Sequence, residues 1–237
     1  MIRIVLKINP YFSSVINLIY PELCEYCQSE SKVQGGPFCL PCLCKLPFTA
    51  YENLKQNDFT RHFEGRVQID TGAALFHLSQ GGQIEKILHR LKYEEKPQIA
   101  YNLGRFYGQI LERYPNWKSA DFLIPVPLHP KKQRKRGYNQ SESFAKGISA
   151  EIGIPICTNV LVRKVNTSTQ TKMNRVQRLF NTENSFGLIN ESNLLNKKII
   201  LLDDVLTTGA TLEACAVQLS KISGIQISML TIAMGGN

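Results

Sequence analysis

Between Lys198 and Ala214 the chain passes from four consecutive aliphatic residues, Ile199 to Leu202, to the acids Asp203 and Asp204. A run of small residues and hydroxyls follows, Thr207-Thr208-Gly209-Ala210-Thr211. An aliphatic run this short and this apolar reads as a strand buried on both faces of a parallel sheet, ending at the acids. From Leu212 to Ser223 the apolar residues Leu212, Cys215, Ala216, Leu219 and Ile222 recur with the period of an amphipathic helix. Strand, short loop and helix in this order predict an α/β fold with an anion site at the helix start. The first backbone N–H groups of a helix lack internal partners and lie at the positive end of its dipole, so a phosphate satisfies them. Gly209 permits close backbone approach or positive φ, and Thr207, Thr208 and Thr211 can add hydroxyl donors. The two acids would repel a phosphate placed on them, but they suit a ligand's vicinal hydroxyls. A ribose 5-phosphate satisfies both halves. No Gly-x-x-x-x-Gly-Lys-Ser/Thr and no Gly-x-Gly-x-x-Gly occurs, which excludes a P-loop and a Rossmann fingerprint. The competing reading is an ordinary buried strand with an acidic turn.

Five of the seven cysteines fall between Cys24 and Cys44. Cys24-x2-Cys27 and Cys39-x2-Cys42, separated by a turn with Gly35-Gly36-Pro37, have the spacing of a four-cysteine zinc ribbon, each knuckle presenting two thiolates to one tetrahedral ion. Four thiolates leave no open position, so the metal would be structural; disulfides or a redox pair are the competing readings. Cys44 is either a spare thiol or a substitute ligand, and Cys157 and Cys215 read as core residues. Arg3, Lys7 and Asn9-Pro10 interrupt the apolar first twenty residues, and no small-residue cleavage site follows. Phe12, Val15, Ile16 and Ile19 instead form one face of a packing helix. No apolar run reaches the roughly 18 to 20 residues that span a bilayer, so no membrane insertion and a cytoplasmic location are expected. A net charge of +9 points to a polyanionic partner.

Along the chain, residues 51–65 read as a linker with partial structure, and 67–77 as a strand broken at Gly72. Two helices follow, the first with Ile84, Ile87, Leu88 and Leu91 on its stripe and ending near Lys92-Tyr93, the second opening at Pro97 with Ile99, Leu103, Phe106 and Ile110. Gly104 and Gly108 suit close helix packing, and His89 a packing or surface role. Residues 122–128 form a strand whose prolines disturb its end. Then Lys131, Lys132, Arg134, Lys135 and Arg136 place five cations in six positions. Asn139 and Glu142 suggest a capping box opening a helix with Phe144, Ile148 and Ile152. This basic loop would lie at the same carboxyl edge of the sheet as the Thr-Thr-Gly loop, so that one ligand with phosphates at both ends could be held. Residues 156–162 read as another strand, 163–184 as a long polar lid, and 225–233 as the last strand. The expected division is a helix and zinc-ribbon module with its linker over 1–65, and an α/β domain over 66–237.

Asp203-Asp204-Val205-Leu206-Thr207-Thr208-Gly209-Ala210-Thr211 resembles the phosphoribosyl-pyrophosphate (PRPP) motif of type I phosphoribosyltransferases. Together with the four-cysteine ribbon, Leu91-Lys92-Tyr93, Pro125-Val126-Pro127-Leu128-His129 and Arg136-Gly137-Tyr138-Asn139-Gln140, the chain resembles the ComF family, whose members are linked to natural competence and the handling of incoming single-stranded DNA. Thr167, Gln170, Arg178 and Asn181 extend the likeness, and Met173 stands where the family often has Leu. The resemblance implies a type I phosphoribosyltransferase-like parallel sheet with flanking helices. It further implies that Pro127, Leu128, His129, Lys131, Lys132, Arg134, Lys135 and Arg136 form a pyrophosphate loop, and that Arg163, Thr167, Gln170, Arg178 and Asn181 belong to a flexible hood. Mg²⁺ would accompany PRPP, and the transferase reading needs a nitrogenous acceptor that no segment specifies. The alternative is a non-catalytic PRPP or nucleotide binder in which the cations and Tyr138 engage single-stranded DNA.

Overall fold

The computed structural model describes residues 23–30, 36–164 and 185–235. It divides into two compact units, Met1–Lys45 and Leu46–Asn237. The division therefore falls at 45/46 rather than at 65/66. The expected helix carrying Phe12, Val15, Ile16 and Ile19 lies outside the described residues.

The first unit is organised by its two knuckles. In the first, the Gln28 N–H donates to the Cys24 carbonyl at 3.0 Å, the chain turning through Gln28 at φ 59°. In the second, Cys39 caps the short helix α1 (Leu40–Leu43), which starts with Pro41 in its first turn. The Glu25 N–H donates to the Pro37 carbonyl at 2.8 Å, tying one knuckle to the other.

The second unit contains, in chain order, α2 (Asp58–Arg61), β1 (Thr71–Leu78), α3 (Gln83–Tyr93), α4 (Pro97–Leu111), α5 (Pro115–Lys118), β2 (Phe122–Pro125), α6 (Pro130–Arg136), α7 (Gln140–Ile152), β3 (Leu161–Arg163), β4 (Phe186–Leu188), β5 (Lys198–Leu206), α8 (Ala210–Leu219) and β6 (Gln226–Gly235). Four strands make one parallel sheet in the order β1-β6-β5-β2. The two central strands carry the apolar runs Ile199–Leu202 and Met229–Met234, within which every aliphatic residue is buried, as parallel strands covered on both faces require.

Several local expectations change. β1 is unbroken at Gly72: a Cβ there would overlap a Phe59 ring carbon, so the glycine makes room for that ring inside the strand. Phe59 belongs to α2, in the segment expected to be a linker. Asn57 caps that helix in a reciprocal box with Thr60, and its side-chain amide donates to the Gly72 carbonyl at 2.9 Å. Phe59 and Phe63 are fully buried, so 51–65 is part of the α/β unit's core. Residues 156–162 do not form one strand. Ile156 makes an isolated parallel bridge to Leu123, and β3 pairs antiparallel with β4 as a separate two-stranded ribbon. β5 continues through the acids to Leu206 instead of stopping at Leu202, and α8 ends at Leu219.

α4 and α7 cross at glycines. A Cβ at Gly104 would overlap the Phe144 carbonyl oxygen, and one at Gly147 the Tyr101 carbonyl oxygen. The expected role of Gly104 in close packing is thus met by a second glycine on the facing helix. On α4 the buried face is turned towards Tyr107 and Leu111, leaving Phe106 and Ile110 only partly covered. This crossing fixes α7, whose first turn reaches the end of β5.

Candidate functional site

β2 and β5 run parallel with Pro125 beside Leu202, so the chain leaves both strands at the same edge. A cleft of about 140 Å³ opens there, lined by residues 126–128, the first turn of α7, Asp203 and Asp204, and Thr211. Lys92, Lys132, Arg136 and Arg163 also line it.

Asp203 Oδ1 accepts from Ser141 Oγ at 3.0 Å and from the Asp204 N–H at 2.9 Å. Asp204 Oδ2 lies 3.2 Å from Lys92 Nζ. Burial, reinforced by the neighbouring charge of Asp204, pushes the Asp203 carboxyl up to about 7; its two hydrogen bonds and Lys92 act in the opposite direction. Asp203 therefore changes charge near neutral pH, while Lys92 balances Asp204.

Beyond the acids, Thr207 and Thr208 are exposed, and Gly209 takes φ 74° as the N-cap of α8. Among the described residues no side chain caps this helix, and the Ala210 N–H reaches Thr208 Oγ1 only at 3.5 Å. Its first N–H groups are therefore of the kind that an anion can satisfy. The turn rests on the former linker: a Cβ on Gly209 would lie 3.3 Å from His62 and Phe63 ring carbons. Arg66 adds a cation beside the loop, its guanidinium 3.5 Å from both the Thr208 carbonyl and Glu213.

The basic segment is a helix rather than a loop. Pro130 opens α6, His129 Nδ1 accepts from the Lys131 N–H at 3.2 Å, and Gly137 closes it at φ 73°. Periodicity then divides the cations: Lys132 and Arg136, four apart, reach the cleft, whereas Lys131, Arg134 and Lys135 do not line it. Pro127 and Leu128 line the cleft directly, while His129 acts as the cap. Arg163 lies over the Phe186 ring at 5.1 Å. Thr167, Gln170, Arg178 and Asn181 lie outside the described residues.

Tyr138 is not a stacking platform. It is half-buried, and its hydroxyl donates to the Leu91 carbonyl and, at 3.3 Å, to that of Lys96. Burial pushes its phenol up to about 12. Asn139 caps α7 by accepting from the Ser141 N–H at 3.1 Å and donates to the Val126 carbonyl at 3.0 Å, but Glu142 pairs with Lys146 instead of completing a box. Sequence reasoning missed the roles of Lys92, Arg66, Gln140 and Ser141. Gln140 is 2% exposed, accepts from Arg136, and leaves its buried Nε2 without a hydrogen-bond partner among the described residues. The Asn139 cap was the available signal, since it places residues 140 and 141 in a helix's first turn beside the strand end.

In the first unit, the sulfurs of Cys24, Cys27, Cys39 and Cys42 all lie within 4.8 Å of one another. Tetrahedral Zn–S bonds of about 2.3 Å give sulfur separations of about 3.8 Å, so the set fits structural zinc. The Cys39 N–H donates to Cys24 Sγ at 3.4 Å, so the backbone holds this sulfur in place. Cys44 is exposed and outside the set. One zinc per chain is expected by elemental analysis, lost in Cys39→Ser together with the fold of this unit and retained in Cys44→Ser. A folded, zinc-free wild type would contradict this.

Among the described residues no helix is long and apolar enough to cross a membrane. Residues 138–233 match the family model for the phosphoribosyl transferase domain. The chain is similar to Competence protein F of Haemophilus influenzae, 27% identical over 218 residues that cover 89% of this chain and 90% of the relative. It is also similar to the DNA utilization protein YhgH of Escherichia coli K12, 28% identical over 138 residues, 56% of this chain and 59% of the relative. Competence protein ComFC of Bacillus subtilis is 31% identical over 214 residues, covering 89% of this chain and 83% of that one. With this identity along nearly its whole length, a phosphoribosyltransferase-like parallel sheet and a four-cysteine cluster, the chain belongs to the ComF family of competence proteins.

Proposed function

We propose that the cleft binds Mg-PRPP and that the protein transfers its ribose 5-phosphate to a nitrogenous acceptor, in a role linked to DNA uptake. The observation that carries this reading is the junction, in one cleft, of an acid pair, an uncapped helix start and cations from α6 and β3. The open N–H groups of α8 with Thr207, Thr208 and Thr211 hold the 5-phosphate. Asp203 and Asp204 accept hydrogen bonds from the ribose hydroxyls, and Ser141 keeps Asp203 oriented towards them. Lys132, Arg136 and Arg163 face the pyrophosphate, beside the 127–129 backbone. As the bond from the anomeric carbon to pyrophosphate breaks, negative charge grows on the leaving oxygen, where these cations stabilise it without reorganising. Asp204 is already paired with Lys92, and Asp203 already accepts two hydrogen bonds. The acids therefore fit Mg²⁺ as a companion held by the ligand's own oxygens; when bound, it neutralises pyrophosphate charge. PRPP-dependent pyrophosphate release, screened over purine and pyrimidine bases, tests the transferase; PRPP binding without release to any base would leave a binding protein.

A second reading, single-stranded DNA binding, is favoured by Lys131, Arg134 and Lys135, which are exposed and unpaired with carboxylates among the described residues. Affinity for a strand should fall with salt at a slope of about −0.7 per phosphate neutralised, so changing all three to Gln should flatten the slope by about 2. PRPP affinity should persist, because Lys132 and Arg136 remain. An unchanged slope would move the DNA site elsewhere.

A further inference from the structure

Beside the cleft lies a second depression of about 320 Å³, lined by Lys92, Tyr93, Glu95, Lys132, Lys135 and Arg136. Its size is at the lower end of the range for small-molecule sites. Lys92, Lys132 and Arg136 form the wall it shares with the cleft, while Tyr93, Glu95 and Lys135 belong to it alone. Tyr93 ends α3, and the chain turns away through Glu95 at φ 51°, which leaves the tyrosine 59% exposed. A single exposed aromatic residue is ordinary on a protein surface. This one is backed by His89, ring centroids 4.6 Å apart, and faces three cations that i, i+3 and i+4 spacing puts on one side of α6. Neither Lys132 nor Lys135 is paired with a carboxylate among the described residues. Glu95 supplies the negative charge among the lining residues, leaving a strong cationic excess next to an aromatic face.

We propose that this depression binds a nucleoside monophosphate unit, its base stacked on Tyr93 and its phosphate held by Lys132, Lys135 and Arg136. The ring contact and the anion contact each match half of such a unit, and the His89 backing keeps Tyr93 in place for stacking. Free mononucleotide and the terminal nucleotide of a strand share this chemistry. The depression shares Lys132 and Arg136 with the cleft assigned to PRPP, but Tyr93 and Lys135 line it alone, so variants at these two positions test it apart from that assignment.

The test is calorimetric titration of the full chain with dAMP, with PRPP, and with a short 5′-phosphorylated oligo(dA). Tyr93→Leu should weaken dAMP binding about tenfold, Tyr93→Phe should restore it, and Lys135→Gln should weaken it in a salt-dependent way. PRPP affinity should be the same in wild type and Tyr93→Leu. Oligonucleotide binding tighter than dAMP, with the same loss in Tyr93→Leu, identifies a strand end as the occupant; equal or weaker binding identifies the free mononucleotide. Absence of dAMP binding at millimolar concentration overturns the proposal. So does dAMP binding that Tyr93→Leu leaves intact, which would place the nucleotide in the neighbouring cleft.

Discussion

Gly209→Val is expected to leave the protein folded and to weaken PRPP binding by about a hundredfold, roughly 2.8 kcal/mol. Two physical effects act together at this position. The native φ of 74° is one that a β-branched residue adopts only under strain. A Cβ would already lie 3.3 Å from ring carbons of His62 and Phe63, so the two further methyl groups must push the turn outward. The displaced turn carries the first N–H groups of α8 away from the phosphate. Charge-assisted hydrogen bonds contribute about 1.5–3 kcal/mol each, so losing one or two accounts for the expected change. Gly209→Ala brings the positive-φ strain without the extra methyls and should give an intermediate loss. Calorimetry with PRPP and with ribose 5-phosphate, alongside thermal denaturation, separates binding from folding. A folded Gly209→Val protein that binds both ligands like wild type would remove the phosphate site from this loop.

How far the sequence reveals this molecule depends on how local the determining physics is. The buried strand, the turn at Gly209 and the following helix are written in consecutive residues, each favouring the same local structure, and they appear in the expected order, with the strand running on through the acids to Leu206 and the helix ending at Leu219. The four metal-type cysteines are equally local, two knuckles with fixed spacing. Residues 51–65 fail this condition. Asn57, Phe59 and Phe63 have no clear period, because their partners, Gly72 and Gly209, are distant in sequence. A helix of four residues is also too short to show periodicity. The cationic segment departs from expectation for a different reason. Charge density alone suggests a loop, whereas Pro130 at the helix start and Gly137 at its end already mark the boundaries of a short helix. Lys92, Ser141 and Gln140 were legible only as motif members or as part of a cap. Their role arises when the α4–α7 glycine crossing and the end of α3 bring them to the acids.

The charge state of Asp203 links that assembled geometry to a measurable pH dependence. Its carboxyl is raised from the ordinary 3.8 to about 7, so between these values the folded protein holds a proton that the unfolded chain has released. Stability should accordingly be greater at the acid end of this window and fall as pH rises through it, in contrast to the usual salt-bridged carboxylate. Ligand binding should run the other way. Ribose hydroxyls donate to an ionised carboxylate, so affinity should rise with pH and level off above about 7; at about pH 6 it should be about tenfold below its plateau, one pH unit being about 1.36 kcal/mol. Phosphates of the ligand titrate nearby, so the decisive comparison is with Asp203→Asn, which should bind ribose 5-phosphate weakly and lose the part of the pH dependence that Asp203 contributes. Asp204→Asn removes the neighbouring like charge and should move the wild-type midpoint downward while weakening ribose binding about tenfold. It also releases Lys92 from its 3.2 Å contact, so pyrophosphate should bind at least as well as before. Titrations of ribose 5-phosphate and pyrophosphate at about pH 5.5, 6.5 and 8, on wild type and both variants, decide the matter. Identical pH profiles in wild type and Asp203→Asn would separate this carboxylate from ribose recognition and remove the chemical basis for placing the sugar between β5 and α7.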